Sequence, residues 1–289
     1  MYPAPFQYSA PTTIDETVSL LAEIGDEGRV LAGGQSLLPM MKLRLAAPAH
    51  LVDINGVSGL SDITANGHLE IGALVRHADV VDNATVASAS PLIAATAPWV
   101  ADPLVRNRGT VCGSIAHCDP EGDWNSVMLA LGAEVVAYGP DGERIIPIAD
   151  FVVDFFTNSL RAGEMVKAVR VPTADSRTGG AYLKLERKIG DYATVGVATS
   201  LRLGEDGKIS EAGVGLTSVA SKNLKAVAAE AMLVGNEPSA ALFAEAAESA
   251  AAAADPTSDV RGPADYKRAV VKSYVERGLN QCMTQIREG

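Results

Sequence analysis

Two short segments of this chain contain the residue types that bind phosphate through the main chain. The first is AGGQS at residues 32–36, which follows the apolar run RVL. Glycine lets main-chain N–H groups approach an anion closely, because no Cβ stands in the way. Taken alone, the segment fits an ordinary strand-to-helix turn as well as a phosphate cradle. On the second interpretation, a valine at Gly33 would block the approach and remove the ligand while leaving the fold largely intact.

The second segment, VRNRGTVCGSIAHCDPEGDW at residues 105–124, has the same character. Each segment offers a serine hydroxyl, and the pair suits a ligand with two phosphates held by N–H groups rather than by lysines. Asp119 or Asp123 could accept a hydrogen bond from a sugar hydroxyl of that ligand. Neither segment has the G-x-x-x-x-G-K-[ST] or G-x-G-x-x-G spacing, which disfavours P-loop and Rossmann proteins. The residues therefore predict a dinucleotide bound in another fold.

Composition narrows the class of protein and its surroundings. With 289 residues the chain can form two or three packed units. The net charge of −11 disfavours nucleic acid and anionic membranes as partners. Three irregularly spaced cysteines favour a reducing compartment over a disulfide framework. The first residues do not resemble a signal peptide, and no apolar run reaches the roughly 18 residues of a membrane span, so we expect a cytoplasmic protein.

Residues 1–56 have the pattern of a small α/β unit. Thr13 is a potential N-cap with Glu16 three residues later, and Gly25 can end the helix that follows. Its predicted buried face consists of Ile14, Val18, Leu21 and Ala22. The runs RVLAGG and HLVDI predict two strands, and loops after such strands are where α/β proteins bind ligands.

Residues 57–176 predict a mixed α+β unit. HLEIGA indicates a strand, and PLIAATAPWVA indicates a helix. DWNSVMLALG indicates a second helix, capped by Asp123 and ended by Gly132. Two apolar runs flank GPDG in AEVVAYGPDGERIIPI and predict a hairpin. We assign both tryptophans, Trp99 and Trp124, to the core.

Residues 177–289 begin within the polar linker TADSRTGG. Three strand-like runs follow, AYLKLERK, ATVGVATSLRL and ISEAGVGLTSV, and their order is typical of an antiparallel meander. Three helical segments come next, beginning at NLKAV, SAALF and YKRAV. The pattern predicts a C-terminal α+β domain in which helices cover one side of a three-stranded sheet.

Three stretches carry a resemblance to a known family. LAGGQSLLPMMKLRLAAPAHLVDI, DPLVRNRGTVCGSIAHCDPEGD and LERKIGDYATVGVA resemble the FAD-binding medium subunit of the molybdenum hydroxylases, of the carbon monoxide dehydrogenase and xanthine dehydrogenase type. The resemblance extends over nearly the whole chain. It implies an α+β fold, with an FAD-binding domain in two subdomains at 1–56 and 57–176. A C-terminal domain at 177–289 would support the flavin ring.

The resemblance also implies the residues of the flavin site. Those in and beside the first segment are Leu31, Ala32, Gly33, Gly34, Gln35, Ser36 and Leu37. Those in the second segment are Thr110, Val111, Cys112, Gly113, Ser114, His117 and Asp123. The third stretch adds Lys184 and Tyr192, with Tyr192 against the isoalloxazine. The family usually has T-[IV]-G-G, so Cys112 replaces a glycine and would be strained if that position has a positive φ.

Partners and an electron-transfer role follow from the same resemblance. A small subunit with two [2Fe-2S] clusters and a large subunit with a molybdopterin cofactor would complete a dimer of heterotrimers. FAD on this chain would take electrons from the clusters and pass them to an external acceptor, and no catalytic residue of its own is predicted. Three cysteines cannot hold a four-cysteine cluster, and Cys112, His117 and Cys118 lack the paired spacing of a metal site.

Two other interpretations stay open at this stage. One is a stand-alone FAD-dependent oxidase or dehydrogenase, for which the sequence offers no obvious substrate domain. The other is a flavin-less assembly protein of the same fold, for which Cys112 is the hint. The substrate and the electron acceptor leave no signature in this chain.

Overall fold

The computed structural model describes residues 2–288, and its first unit is a parallel three-stranded sheet in the order β1-β3-β2. Its elements are β1 (Gln7–Ser9), α1 (Ile14–Ile24), β2 (Gly28–Leu31), α2 (Leu37–Lys42) and β3 (His50–Asp53). The predicted ends of α1 are confirmed, because the Thr13 hydroxyl accepts from the Glu16 N–H and Gly25 ends the helix at φ 63°. The predicted face is wrong at Ala22, which is exposed, whereas Thr17 is buried.

The second unit is an antiparallel five-stranded sheet in the order β4-β5-β10-β6-β7, with a separate hairpin β8-β9. Its strands are β4 (Ile63–Ala65), β5 (His68–Gly72), β6 (Glu134–Gly139), β7 (Gly142–Pro147), β8 (Val152–Asp154), β9 (Thr157–Asn158) and β10 (Met165–Pro172). Its helices are α3 (His77–Val80), α4 (Ala84–Ala89), α5 (Pro91–Thr96), α6 (Pro103–Arg106), α7 (Val111–His117), α8 (Asp123–Leu131) and α9 (Ile148–Phe151). The hairpin predicted around GPDG is confirmed as β6-β7.

Three expectations for this unit are wrong. The helix predicted through Ala101 ends as α5 at Thr96 and continues only as a 3₁₀ turn to Trp99. The core assignment is confirmed for Trp124, which is fully buried, and wrong for Trp99, which is 41% exposed. Gly122, not Asp123, is the N-cap of α8. The Asp123 carboxylate is turned away from the helix N–H groups because it bonds side chains of the C-terminal domain.

The C-terminal domain contains an antiparallel sheet in the order β11-β12-β13-β14. Its elements are β11 (Thr178–Leu185), β12 (Val195–Leu203), β13 (Ile209–Thr217), β14 (Leu224–Lys225), α10 (Val227–Leu233), α11 (Ala240–Ala253) and α12 (Ala264–Glu288). The predicted meander is confirmed, and β14 adds a short fourth strand where the sequence predicted the start of a helix. Within residues 2–288, no helix is both long and apolar enough to cross a membrane.

Helices cover both faces of this C-terminal sheet, rather than the one face that the sequence predicted. Alternate residues such as Leu183 pack with α11 and α12, and those between them face α8 of the preceding unit. At Gly213 and Gly215 the sheet meets α8 so closely that a Cβ would overlap carbonyl oxygens of that helix. The second unit and the C-terminal domain therefore share an extended buried contact.

Candidate functional site

A cleft of about 930 Å³ lies where the first unit, the second unit and the C-terminal domain meet. Every site residue predicted from the sequence lines this cleft except Val111, which is fully buried in the core. The cleft thus brings together the two glycine-rich segments and the LERKIGDY stretch, which are far apart in the sequence. The Val111 side chain packs into the interior, and its N–H donates to the Val75 carbonyl. The assignment of the other residues to flavin stays a prediction.

The first segment is an irregular turn between β2 and α2, and its two glycines serve different purposes. Gly33 lies against the second segment, where a Cβ would overlap the Arg108 carbonyl oxygen and lie 2.7 Å from the Gly109 Cα. Gly34 has φ 72°, a conformation that side chains rarely adopt. Among the described residues, the N–H groups of residues 33–36 have no hydrogen-bond acceptor, and neither does the Ser36 hydroxyl. The turn therefore presents free donors to the cleft.

The second segment is not a continuous loop, because α7 begins within it. Thr110 caps this helix by accepting from the Gly113 N–H at 3.1 Å. Cys112 is helical and has no positive φ, so the condition under which a cysteine would be strained here is not met. Its thiol donates to the Ile71 carbonyl at 3.3 Å, and burial raises its pKa to about 12. Cys112 therefore fills core space and keeps an inert thiol at neutral pH.

A buried ion pair forms the floor of the cleft. The Lys184 ammonium lies 3.0 Å from the Asp123 carboxylate and also donates to the Trp99 carbonyl. The Tyr182 hydroxyl donates to the other Asp123 oxygen at 2.6 Å. Burial raises the pKa of Asp123, and the neighbouring ammonium opposes that rise. Because the Lys184 ammonium already pairs with Asp123, it is less available to pair with a phosphate.

The mouth of the cleft is aromatic. Tyr192 is 48% exposed there, and the ring of His117 lies 4.7 Å from that of Phe156. Phe156 and Ala101 line the cleft with φ of 49° and 48°, and such strained non-glycine residues cluster at functional sites. Sequence analysis missed both, because neither residue type signals a positive φ.

Three charged residues near the two segments do not line the cleft: Asp119, Lys42 and Arg44. Asp119 was a predicted partner of a sugar hydroxyl, whereas Lys42 and Arg44 are exposed at the end of α2. Among residues 2–288, no group of three or more His, Cys, Asp or Glu side chains is arranged to hold a metal ion.

His77 is a buried base in the wall of the cleft. Its Nδ1 accepts from the Trp124 indole N–H at 3.1 Å, and its ring lies directly against Gly109 of the second segment. Burial, with Arg106 and Arg76 nearby, lowers the pKa of His77 to about 4. The neutral imidazole therefore supports the segment from behind at neutral pH.

We predict acid sensitivity from His77. The unfolded chain binds a proton near the ordinary pKa of 6.5 and the folded chain only near pH 4. The contribution of neutral His77 to the free energy of unfolding is therefore complete above pH 6.5. About 3 kcal/mol of it is lost as the pH falls from 6.5 to 4. Urea unfolding across this range should show a smaller loss in His77→Asn, whose amide oxygen can accept from Trp124 without titrating. Equal pH dependence in the two proteins would contradict the assignment.

The cleft fits an extended, doubly phosphorylated ligand. Its volume lies near the top of the range of about 300–1,000 Å³ for small-molecule sites, and free N–H groups line it where two segments meet. The Ser36 and Ser114 hydroxyls make no hydrogen bond within residues 2–288 and are available as further donors. Fold and cleft together define a dinucleotide-binding protein of neither the Rossmann nor the P-loop class.

Comparison with known families identifies the family to which the chain belongs. The family described as "FAD binding domain in molybdopterin dehydrogenase" matches residues 4–174, and "CO dehydrogenase flavoprotein C-terminal domain" matches residues 180–282. The chain belongs to the FAD-binding medium chains of the molybdenum hydroxylases, and is an oxidoreductase subunit. The family resemblance and the α+β fold predicted from the sequence are confirmed. The subdomain boundary between residues 56 and 57 stays a prediction.

Individual relatives match over nearly their whole length. The carbon monoxide dehydrogenase medium chain of Hydrogenophaga pseudoflava is 40% identical, with 97% of this chain and 98% of that chain covered. The 6-hydroxypseudooxynicotine dehydrogenase complex subunit alpha of Paenarthrobacter nicotinovorans is 37% identical, with coverages of 99% and 97%. A solved structure of the H. pseudoflava carbon monoxide dehydrogenase, lacking the Mo-pyranopterin moiety, superposes with a TM-score of 0.95 at 41% identity and 99% coverage of each chain.

Proposed function

We propose that this chain is the FAD-carrying electron-transfer subunit of a heteromeric molybdenum hydroxylase. It would receive electrons from [2Fe-2S] clusters on a partner subunit and deliver them to an external acceptor. FAD, when bound, supplies a group that accepts electrons singly and releases them in pairs. The protein's part is to hold the pyrophosphate, orient the ring and leave one side of it accessible.

One observation carries the proposal: two glycine-rich segments converge on one cleft with unpaired N–H groups. Residues 33–36 offer donors from the first segment, and the Cys112 N–H at the start of α7 is unpaired within the described chain. Main-chain amides hold a pyrophosphate without a lysine, which agrees with the engagement of Lys184 by Asp123. The aromatic mouth around Tyr192 and Phe156 suits a flat ring.

The structure removes the reason for suspecting a flavin-less protein. That alternative rested on strain at Cys112, and Cys112 is helical with its thiol in the core. A stand-alone oxidase would need a second cleft for its substrate, built from further elements. The C-terminal residues 178–288 instead form one four-stranded sheet with helices that pack against it.

We further infer the partners by analogy with the relatives. A small iron–sulfur subunit and a large molybdenum subunit would join this chain in a dimer of heterotrimers, in the cytoplasm. Medium chains of carbon monoxide dehydrogenases and a subunit of a dehydrogenase complex are among the relatives, which supports a heteromeric assembly. Co-purification of the chain with two partners, in equal amounts, would test this inference.

The test of flavin binding is an absorbance spectrum of the purified full chain before and after addition of FAD. We expect flavin bands that shift on binding, bleach under dithionite and titrate to one FAD per chain. A chain that stays colourless with FAD, both alone and after reassembly with the two partner subunits, would overturn the proposal.

A further inference from the structure

Side chains behind the cleft join the two glycine-rich segments by a chain of hydrogen bonds. The Asn55 Nδ2 donates to the Ala32 carbonyl in the first segment at 2.9 Å. The Arg76 guanidinium donates to the Asn55 Oδ1 and to the Arg108 carbonyl of the second segment, each at 2.5 Å. Neither Asn55 nor Arg76 lines the cleft itself.

The surrounding structure fixes both ends of this link. Arg76 forms an antiparallel bridge with Thr110, so its main chain is attached to the second segment. Asn55 follows β3 in a 3₁₀ turn, and both its N–H and its amide nitrogen donate to Asp53. Arg76 can only donate, so the Asn55 oxygen must face it and the nitrogen must face Ala32. The polarity of the amide is therefore determined by its neighbours.

We propose that Asn55 and Arg76 are positioning residues that set the spacing of the two segments for the pyrophosphate. The proposal rests on the proposed flavin function. Gly33 touches Arg108 and Gly109 directly, which limits how closely the segments approach, and the Asn55–Arg76 link limits how far they separate. Donors on two separate segments bind one ligand well only when their separation is fixed beforehand.

Three variants of the full chain test the link. In Asn55→Ala and in Arg76→Met we expect the Kd for FAD, followed by flavin fluorescence, to rise about tenfold. Asn55→Asp keeps an acceptor for Arg76 but cannot donate to Ala32, so it should weaken binding at least as much. Arg170→Met is the matched control, because Arg170 is similarly half-buried and pairs with Glu70 on the five-stranded sheet.

A second readout separates positioning from general destabilisation. Both link variants should speed amide hydrogen exchange at Leu38 and Met40, whose N–H groups donate to carbonyls of the first segment, while the melting temperature of the apoprotein changes no more than in Arg170→Met. The double variant should bind FAD no more weakly than either single one, because one break already opens the link. Unchanged FAD affinity, or unchanged exchange at Leu38 and Met40, would overturn the proposal. A wild-type chain that binds no FAD, either alone or after reassembly with the two partner subunits, would refute the flavin function, and hydrogen exchange would then still decide the link.

Discussion

Gly33→Val is expected to weaken FAD binding by about 100-fold or more, which corresponds to about 3 kcal/mol. The physical reason differs from the one that the sequence suggested. An added side chain meets the main chain of Arg108 and Gly109 before it meets any ligand, so it must push the two segments apart. Donors on the two segments then no longer converge. Titration of the purified variant with FAD, alongside circular dichroism, measures the effect.

The matched control for Gly33 is Gly56→Ala. Gly56 also lies in a turn after a strand, but the nearest atom to its added Cβ is the Pro11 carbonyl oxygen at an ordinary 3.5 Å. This variant should bind FAD with wild-type affinity. Stoichiometric flavin in Gly33→Val would show that the contact between the segments does not shape the site. Some loss of thermal stability in Gly33→Val is expected too, because the overlap is with main chain and cannot be relieved by a side-chain rotation.

The first segment shows what local sequence can predict about the site. Glycines after a short apolar run indicated close main-chain approach, and the structure places them at the cleft. The purpose of each glycine was not predictable, since Gly33 is required by a contact with residues 75 and 76 positions further along the chain and Gly34 by its own φ. Conformational signals are local, whereas packing partners are set by the tertiary fold.

The second segment shows the opposite error. Its glycines and small polar residues suggested a loop, but Thr110 provides an N-cap and the residues after it form α7. Sequence analysis also placed Val111 in the site, and in α7 Val111 and Ile115, four residues apart, lie on one buried face. The sequence therefore predicted residues that line one cleft, but it could not separate them into lining and supporting residues.

Contacts between distant parts of the chain were the least predictable. Neither Asn55 nor Arg76 belongs to a sequence motif that indicates its role. The hydrogen bond between them depends on how β3 and α3 come together in the fold. Along β11, by contrast, Tyr182 and Lys184 alternate with Ala181 and Leu183, which does indicate two polar groups on one face. The alternation does not identify the residue to which Tyr182 and Lys184 both bond, which is Asp123.

Lys184→Met is expected to destabilise the protein by about 3–5 kcal/mol, because it leaves the buried Asp123 carboxylate without its cation. Asp123 belongs to the second unit and Lys184 to the C-terminal domain, and both side chains are nearly inaccessible to solvent. Their contact with Tyr182 therefore stabilises the junction of the two as well as the floor of the cleft. Urea unfolding, with fluorescence of the buried Trp124 as the probe, measures the loss.

The sign of the pH dependence distinguishes a lost charge partner from lost packing. Without Lys184 the folded-state pKa of Asp123, already raised by burial, should rise further above its unfolded value. A raised pKa means that the folded state binds the proton more tightly, so the destabilisation relative to wild type should shrink as the pH falls from about 7.5 to about 5.

Asp123→Asn/Lys184→Met, which removes both charges, should recover most of the stability at neutral pH. Lys272→Met breaks an exposed pair with Glu248 and should cost less than about 1 kcal/mol. A pH-independent loss in Lys184→Met, with no recovery in the double variant, would mean that the lysine acts through its aliphatic packing alone.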